Sequence, residues 1–176
     1  FDCRFAKISI NKMIMNTLIN RRTADLVEKY LHIFPAVAVL GPRQCGKSTL
    51  MKMLSANKEH YLYVDLQNRA DRLKLEDAPL FFQSNELETI CLDDTQLLPE
   101  IFDDLRTEID RHRVPGRFVL LGSASCEMLQ HTSESLAGRV GIIDLTPFLL
   151  TEIAGQSDYQ LSQYWTRGGY PDSYLA

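Results

Sequence analysis

The sequence predicts an α/β domain with a mostly parallel, five-stranded central sheet and helices on both faces. Three observations predict it. Strand-like and helix-like segments alternate along the chain, as they do when strands are joined by helical crossovers. The strand-like runs are short and continuously apolar rather than alternating, as strands buried on both faces are. One of them, 36-AVAVLG-41, leads directly into a glycine-containing loop that opens a helix. The 176 residues fit one domain, large enough for a real core.

Each element follows in order. Leu26, Val27, Tyr30 and Leu31 stand at helical spacing after Thr23, a predicted N-cap, and Pro35 ends that helix. The strand at 36–41 is Val-rich, and a helix is predicted from Lys47 to about Ala56. The second strand is 61-YLYVDL-66, followed by a charged helical stretch from Asn68 to Phe82 that Pro79 interrupts. The third strand is 88-ETICLDD-94. In 97-LLPEIFDDLRTEID-110, Leu98, Ile101, Phe102, Leu105 and Ile109 share one helical face, leaving Asp103, Asp104, Arg106 and Glu108 mostly outside. The fourth strand is 117-RFVLLGS-123, a short helix covers about Cys126 to Ala137, and the fifth strand is 140-VGIIDL-145. From Pro147 the pattern is less regular, with an amphipathic piece from Leu161 to Trp165.

Composition narrows the function classes. Hydrophobic residues make up 45% and charged residues 24%, the balance of a globular domain. A net charge of -4 gives no global field toward nucleic acid or anionic membrane. The basic clusters Arg21-Arg22 and Arg111-His112-Arg113 read as solvated faces. Cys3, Cys45, Cys91 and Cys126 are far apart and lack CxxC pairing, which argues against a zinc site or disulfide framework and for a reducing cytoplasm. The four histidines show no metal spacing. No apolar run approaches the roughly 18–20 residues of a membrane span, and the N-terminus lacks the apolar stretch of a signal peptide. The chain opens on Phe1, as a chain does that starts within a longer protein or has lost a leader, with Met13 or Met15 as an alternative natural start; its close inside ordered-looking sequence is that of a fragment.

The stretch 40-LGPRQCGKSTL-50 carries the chemistry. Gly41, Gly46, Lys47 and Ser48 fit G-x-x-x-x-G-K-[ST], the Walker A phosphate loop, between a buried strand and a helix. Backbone N–H groups must point inward around a phosphate, and glycines permit that path. The helix start adds its positive end. Lys47 is placed to reach the β and γ phosphates and the Ser48 hydroxyl to ligate Mg²⁺. Pro42, Arg43, Gln44, Cys45 and Thr49 complete the predicted nucleotide-binding loop. Cys45 reads as filler in a permissive loop rather than a reactive thiol. The candidate Walker B carboxylate is Asp93, where the apolar run of the third strand ends, acting on Mg²⁺ through water, and Asp94 follows as the candidate general base; the alternative is two exposed acids at a strand end beside a turn at Thr95. Ser123, at the end of the fourth strand, is a candidate sensor of the γ-phosphate or a helix cap. Arg139, after a helix stop at Gly138, is either a surface arginine or one that acts on a neighbouring subunit's γ-phosphate.

Together LGPRQCGKSTL, LDDTQLLPEIFDDLRTEID, RFVLLGSAS, SESLAGRV and WTRGGYPDSYLA resemble a known group. Over roughly Met15 to Ala176 the chain is similar to the N-terminal ATPase domain of mostly bacterial and archaeal AAA-type P-loop proteins. In that group a restriction-endonuclease-like domain of unknown function commonly follows. The resemblance implies an AAA-like strand order with the phosphate-loop strand central. It implies ATP rather than GTP, with Mg²⁺, and a partner domain absent from this chain. It also implies Asp93 at the metal, Ser123 as sensor, and Arg139 as the arginine of the group's GR motif. Where the group has Asp-Glu and then Gln, this chain has Asp93-Asp94 with Gln96 retained. Aspartate is one methylene shorter, and a misplacement near 1 Å can cost on the order of 100-fold in rate.

The organisation expected is an N-terminal extension over 1–22, an ATPase core over 23–147, and the start of a lid or linker over 148–176. The leading expectation is an Mg²⁺-dependent ATPase coupled to a partner domain or protein. A nucleotide-held switch with little turnover is the alternative, and a small-molecule kinase stands behind it. A GTPase is disfavoured because 57-NKEH-60 ends in His and lies just before the second strand. Homo-oligomerisation stays open, and nucleic acid enters by analogy alone.

Overall fold

The computed structural model describes residues 19–56, 58–125, 134–155 and 160–176. Strands β1 (Ala36–Leu40), β2 (Tyr61–Asp65), β3 (Thr89–Asp93), β4 (Phe118–Gly122) and β5 (Val140–Asp144) form one sheet in the order β2-β3-β4-β1-β5. Every pairing is parallel, with Ala36 opposite both Phe118 and Val140, and Asp65 opposite Asp93. All carboxyl ends therefore lie along one edge, where open α/β sheets place their ligands.

Helix α1 (Thr23–Leu31) precedes β1, and α2 (Lys47–Ser55) follows it. Helices α3 (Arg69–Leu73) and α4 (Ala78–Ser84) join β2 to β3, and α5 (Ile101–Arg111) joins β3 to β4. Beyond β5 come α6 (Leu150–Ile153), α7 (Leu161–Arg167) and α8 (Pro171–Leu175). All five residues of β1 are buried, and their alternation feeds two cores. Ala36, Ala38 and Leu40 pack with Phe82 of α4 and with Ile101, Phe102, Leu105 and Ile109 of α5. Val37 and Val39 face the other way, onto Val27 and Leu31 of α1 and Leu50 and Met51 of α2. A third cluster of Ile19, Phe148, Ile153 and Tyr174 ties the 148–176 segment to the residues before α1.

Local corrections have local causes. Thr23 is the first residue of α1, not its cap; Arg22 precedes it without a side-chain cap bond. The stretch 68–82 is two helices, because Asp77 caps a new one through the Leu80 N–H, with Pro79 in its first turn. Glu108, expected outside, is buried beside Leu105 and Ile109, and Arg111 donates to both of its carboxylate oxygens at 3.0 and 2.8 Å. Arg21 is not on a solvated face but buried. The predicted helix from Cys126 lies mostly outside the described residues, as do Cys3, Met13, Met15, Cys126 and His131. Among the described residues no helix is long and apolar enough to cross a membrane.

Candidate functional site

The phosphate loop is a turn that β1 and α2 hold at both ends. Gly41 passes so close to the end of β5 that a Cβ there would sit 2.1 Å from the Leu145 carbonyl oxygen, which excludes any other residue. Gln44 and Gly46 both take positive φ, 62° and 98°, and the turn curls back on itself before α2 begins with the Leu50 N–H on the Gly46 carbonyl at 2.9 Å. Gln44 is the strained position of the two, since only Gly46 lacks a Cβ. Lys47 is buried, and its Nζ folds back to donate to the carbonyls of Gly41 (3.0 Å) and Pro42 (2.9 Å). Above the loop opens a cavity of about 670 Å³, with Arg43, Gln44, Lys47, Ser48, Thr49, Asp93 and Asp94 in its wall.

Asp93 ends β3 directly across from the start of α2. Its Oδ2 accepts from Ser48 Oγ at 2.6 Å and from the Tyr63 hydroxyl, and its Oδ1 accepts from the Asp94 N–H at 2.9 Å. Burial and the bond to Asp93 push the Tyr63 phenol well above its ordinary range, so it stays protonated and donates. The Asp93 carboxylate is almost entirely buried, yet among the described residues no cation pairs with it. A buried carboxylate met only by neutral donors lacks a positive charge, and a divalent cation beside Ser48 would supply it. Among the described residues no group of three or more His, Cys, Asp or Glu could hold a metal alone.

Asp94 adopts the left-handed conformation, φ 58°, which Asp tolerates better than most residues. Both of its oxygens are engaged. Gln96 Nε2 donates to Oδ1 at 2.7 Å, and Gln67 Nε2 donates to Oδ2. The Oε1 of Gln96 in turn accepts from the Ser123 N–H at 3.2 Å. The ends of β2, β3 and β4 are thus linked through one carboxylate. Ser123 is at the site, with its backbone in this chain.

Arg139 is elsewhere. It precedes β5, and its carbonyl accepts from the N–H of Ala36, the first residue of β1. The phosphate loop leaves the other end of β1, roughly 16 Å away at 3.3 Å per strand residue. The Arg139 guanidinium pairs with Asp110 in a two-pronged contact, Nε to Oδ1 at 2.6 Å and Nη2 to Oδ2 at 2.8 Å. That contact holds the Asp110 carboxyl below its usual range.

The family model described as "AAA domain" matches residues 34–154. The chain belongs to the AAA domain family. Nucleotide binding and hydrolysis are the coarse activity of that family. Over 160 residues this AAA domain is 36% identical to two uncharacterized mycobacterial proteins, Mb2031c of Mycobacterium bovis and Rv2008c of Mycobacterium tuberculosis. The match covers 90% of this chain and 35% of each of theirs, so the chain spans about a third of the length of these relatives. The Walker-type ATPase PABY2304 of Pyrococcus abyssi has a similar fold, with a TM-score of 0.58 at 12% identity over 89% of this chain and 65% of that one.

Tertiary contacts bring further residues to the site of this AAA domain. Gln67 and Tyr63 sit on or just after β2, and only the adjacency of β2 to β3 brings them to the two acids. Cys45 fills the loop rather than serving as a reactive thiol: it is fully buried, and burial raises its thiol pKa despite the Lys47 and Arg21 charges nearby. Its carbonyl accepts from Arg21 Nη1 at 2.9 Å. Arg21 also pairs with Glu152 through Nε at 3.2 Å and donates to the Thr146 carbonyl, so it ties the phosphate loop to α6. Pro171 and Asp172, at the start of α8, reach the wall of the main cavity. They also border a smaller, more apolar cavity of about 180 Å³ against Thr49, Met53, Phe148 and Leu175.

Proposed function

We propose that this domain binds ATP with Mg²⁺ in the cradle and hydrolyses it, and that the cycle acts on a partner domain or protein. The observation that carries the reading is the convergence of Ser48 on Asp93 at 2.6 Å, with Asp94 next in the chain and turned to the same cavity. The triphosphate lies along the N–H groups of the Gly41–Thr49 loop, and the base lies in the adjoining apolar cavity. Lys47 leaves the carbonyls of Gly41 and Pro42 and meets phosphate oxygens. Ser48 and Asp93 would hold Mg²⁺, which when bound neutralises charge on the phosphates. Asp94 takes the proton of the attacking water on a lone pair that the Gln67 and Gln96 amides leave open, one amide standing on each of its oxygens. Ser123, joined to Gln96, senses whether the γ-phosphate is in place.

Arg139 does not serve the phosphates of its own cradle. Its role in this reading is toward the site of a second copy in a homo-oligomer, for which Asp110 must release it. The greater length of the mycobacterial relatives leaves room for the partner domain. The buried, unpaired thiols Cys45 and Cys91 suit a reducing compartment such as the cytoplasm.

The doubly held, short carboxylate of Asp94 favours a second reading, a nucleotide-bound switch with little turnover. Phosphate release with and without Mg²⁺ separates the two. Lys47→Ala should abolish any metal-dependent release, and a wild-type-like rate in that variant would sink the first reading. Asp94→Glu should raise the rate if side-chain length is limiting; an unchanged low rate would favour the switch.

A further inference from the structure

We propose that Tyr63 is a positioning residue for the divalent cation: its phenol fixes the Asp93 carboxylate in the orientation that a phosphate-bound metal needs. The inference rests on the ATP–Mg²⁺ reading above. Two hydroxyls from different elements meet on one oxygen of Asp93, Ser48 from α2 and Tyr63 from β2. Rotation about the last bond of an aspartate is soft. The Asp94 N–H restrains only the other oxygen. When Ser48 turns its oxygen toward a metal, Tyr63 is the remaining side chain that keeps the carboxylate from swinging.

The fold holds the phenol there. Tyr63 pairs in register with Cys91, two residues short of Asp93, so its long side chain must lean along the strand to reach the carboxylate. Lys52 Nζ lies 5.4 Å from the centre of the Tyr63 ring. Lys52 and Ser48 are one helical turn apart on α2, so a single helix face presses on both the ring and the carboxylate. A phenylalanine would keep the ring and its packing and remove only the donor.

The test uses the full 176-residue chain loaded with ADP, with Mn²⁺ as the probe, its binding followed by electron paramagnetic resonance. Partners that orient a metal ligand typically govern about 10- to 100-fold in metal affinity. Tyr63→Phe should weaken Mn²⁺ binding by that factor. ADP affinity in EDTA should stay within about twofold, and thermal unfolding should show a folded variant. In an Asp93→Asn background, Tyr63→Phe should have no further effect on Mn²⁺, because the phenol acts through Asp93. A merely packing role would instead lower metal-free ADP affinity, or persist in the Asp93→Asn background, and either result overturns the inference. If wild type binds Mn²⁺ and Tyr63→Phe binds it equally well, this inference alone falls. If the ADP-loaded wild type binds no Mn²⁺ at all, the proposed function falls with it.

Discussion

Replacing Arg21 with alanine should destabilise the whole domain and loosen the phosphate loop at once. The Arg21 side chain is 4% exposed and the Glu152 carboxylate 1% exposed. Arg21 Nε meets Glu152, Nη1 the Cys45 carbonyl and Nη2 the Thr146 carbonyl, and the guanidinium lies 5.1 Å from the centre of the Phe148 ring. Alanine would leave Glu152 buried without its cation, held only by the N–H groups of Arg22 and Leu149, each at 2.9 Å. Removing one partner of a buried ion pair costs about 3–5 kcal/mol. In a domain of this size each kcal/mol lowers Tm by about 2–4 °C, so the fall should be roughly 6–20 °C. Thermal and urea unfolding of Arg21→Ala, Glu152→Gln and the double variant measure it. The cycle should return a coupling of about 0.5–3 kcal/mol between the two side chains. Nucleotide affinity should drop in Arg21→Ala as well, because the Cys45 carbonyl loses its donor inside the loop. A loss below about 1 kcal/mol, or strictly additive singles, would refute the reasoning.

Two further predictions test other links. Gln67→Ala removes one of the two amides held on Asp94, so basal phosphate release should rise, with a ceiling of roughly 10- to 150-fold, the worth of about 1.5–3 kcal/mol for one hydrogen bond to a charged group. A falling rate would mean that Gln67 orients Asp94 rather than restraining it. The second concerns pH. Burial pushes the Cys91 thiol from 9.0 up to about 12. The folded state therefore keeps a proton that the unfolded chain releases above pH 9, and stability should decline as pH rises from about 9 to 12. Cys91→Ala should flatten that part of the urea-unfolding profile, and an unchanged slope would place the titration elsewhere.

Much of the fold was legible because it depends on runs of adjacent residues. The strand 36–40 is buried on both faces, and five consecutive apolar side chains record that directly. The face of α5 was read from Leu105 and Ile109, but Glu108 beside them was misplaced. Periodicity registers where a side chain points, not the Arg111 that lets a carboxylate follow it inward. Arg21 is buried for a reason of the same kind. Nothing next to it in the chain announces Glu152, 131 residues away.

By itself the sequence determined the cradle. Gly41, Gly46, Lys47 and Ser48 lie in one continuous turn, so its shape is written in their spacing. Asp93 and Asp94 were nearly as plain, since a carboxylate at the end of a buried strand is a local feature. Tertiary structure alone decided what surrounds them. Sheet order brought Tyr63 to Asp93 and Gln67 to Asp94. The all-parallel register put Arg139 at the edge opposite the cradle. Hydrogen bonds between distant side chains follow from how strands are ordered, and that order leaves no periodic trace in the residues that make them.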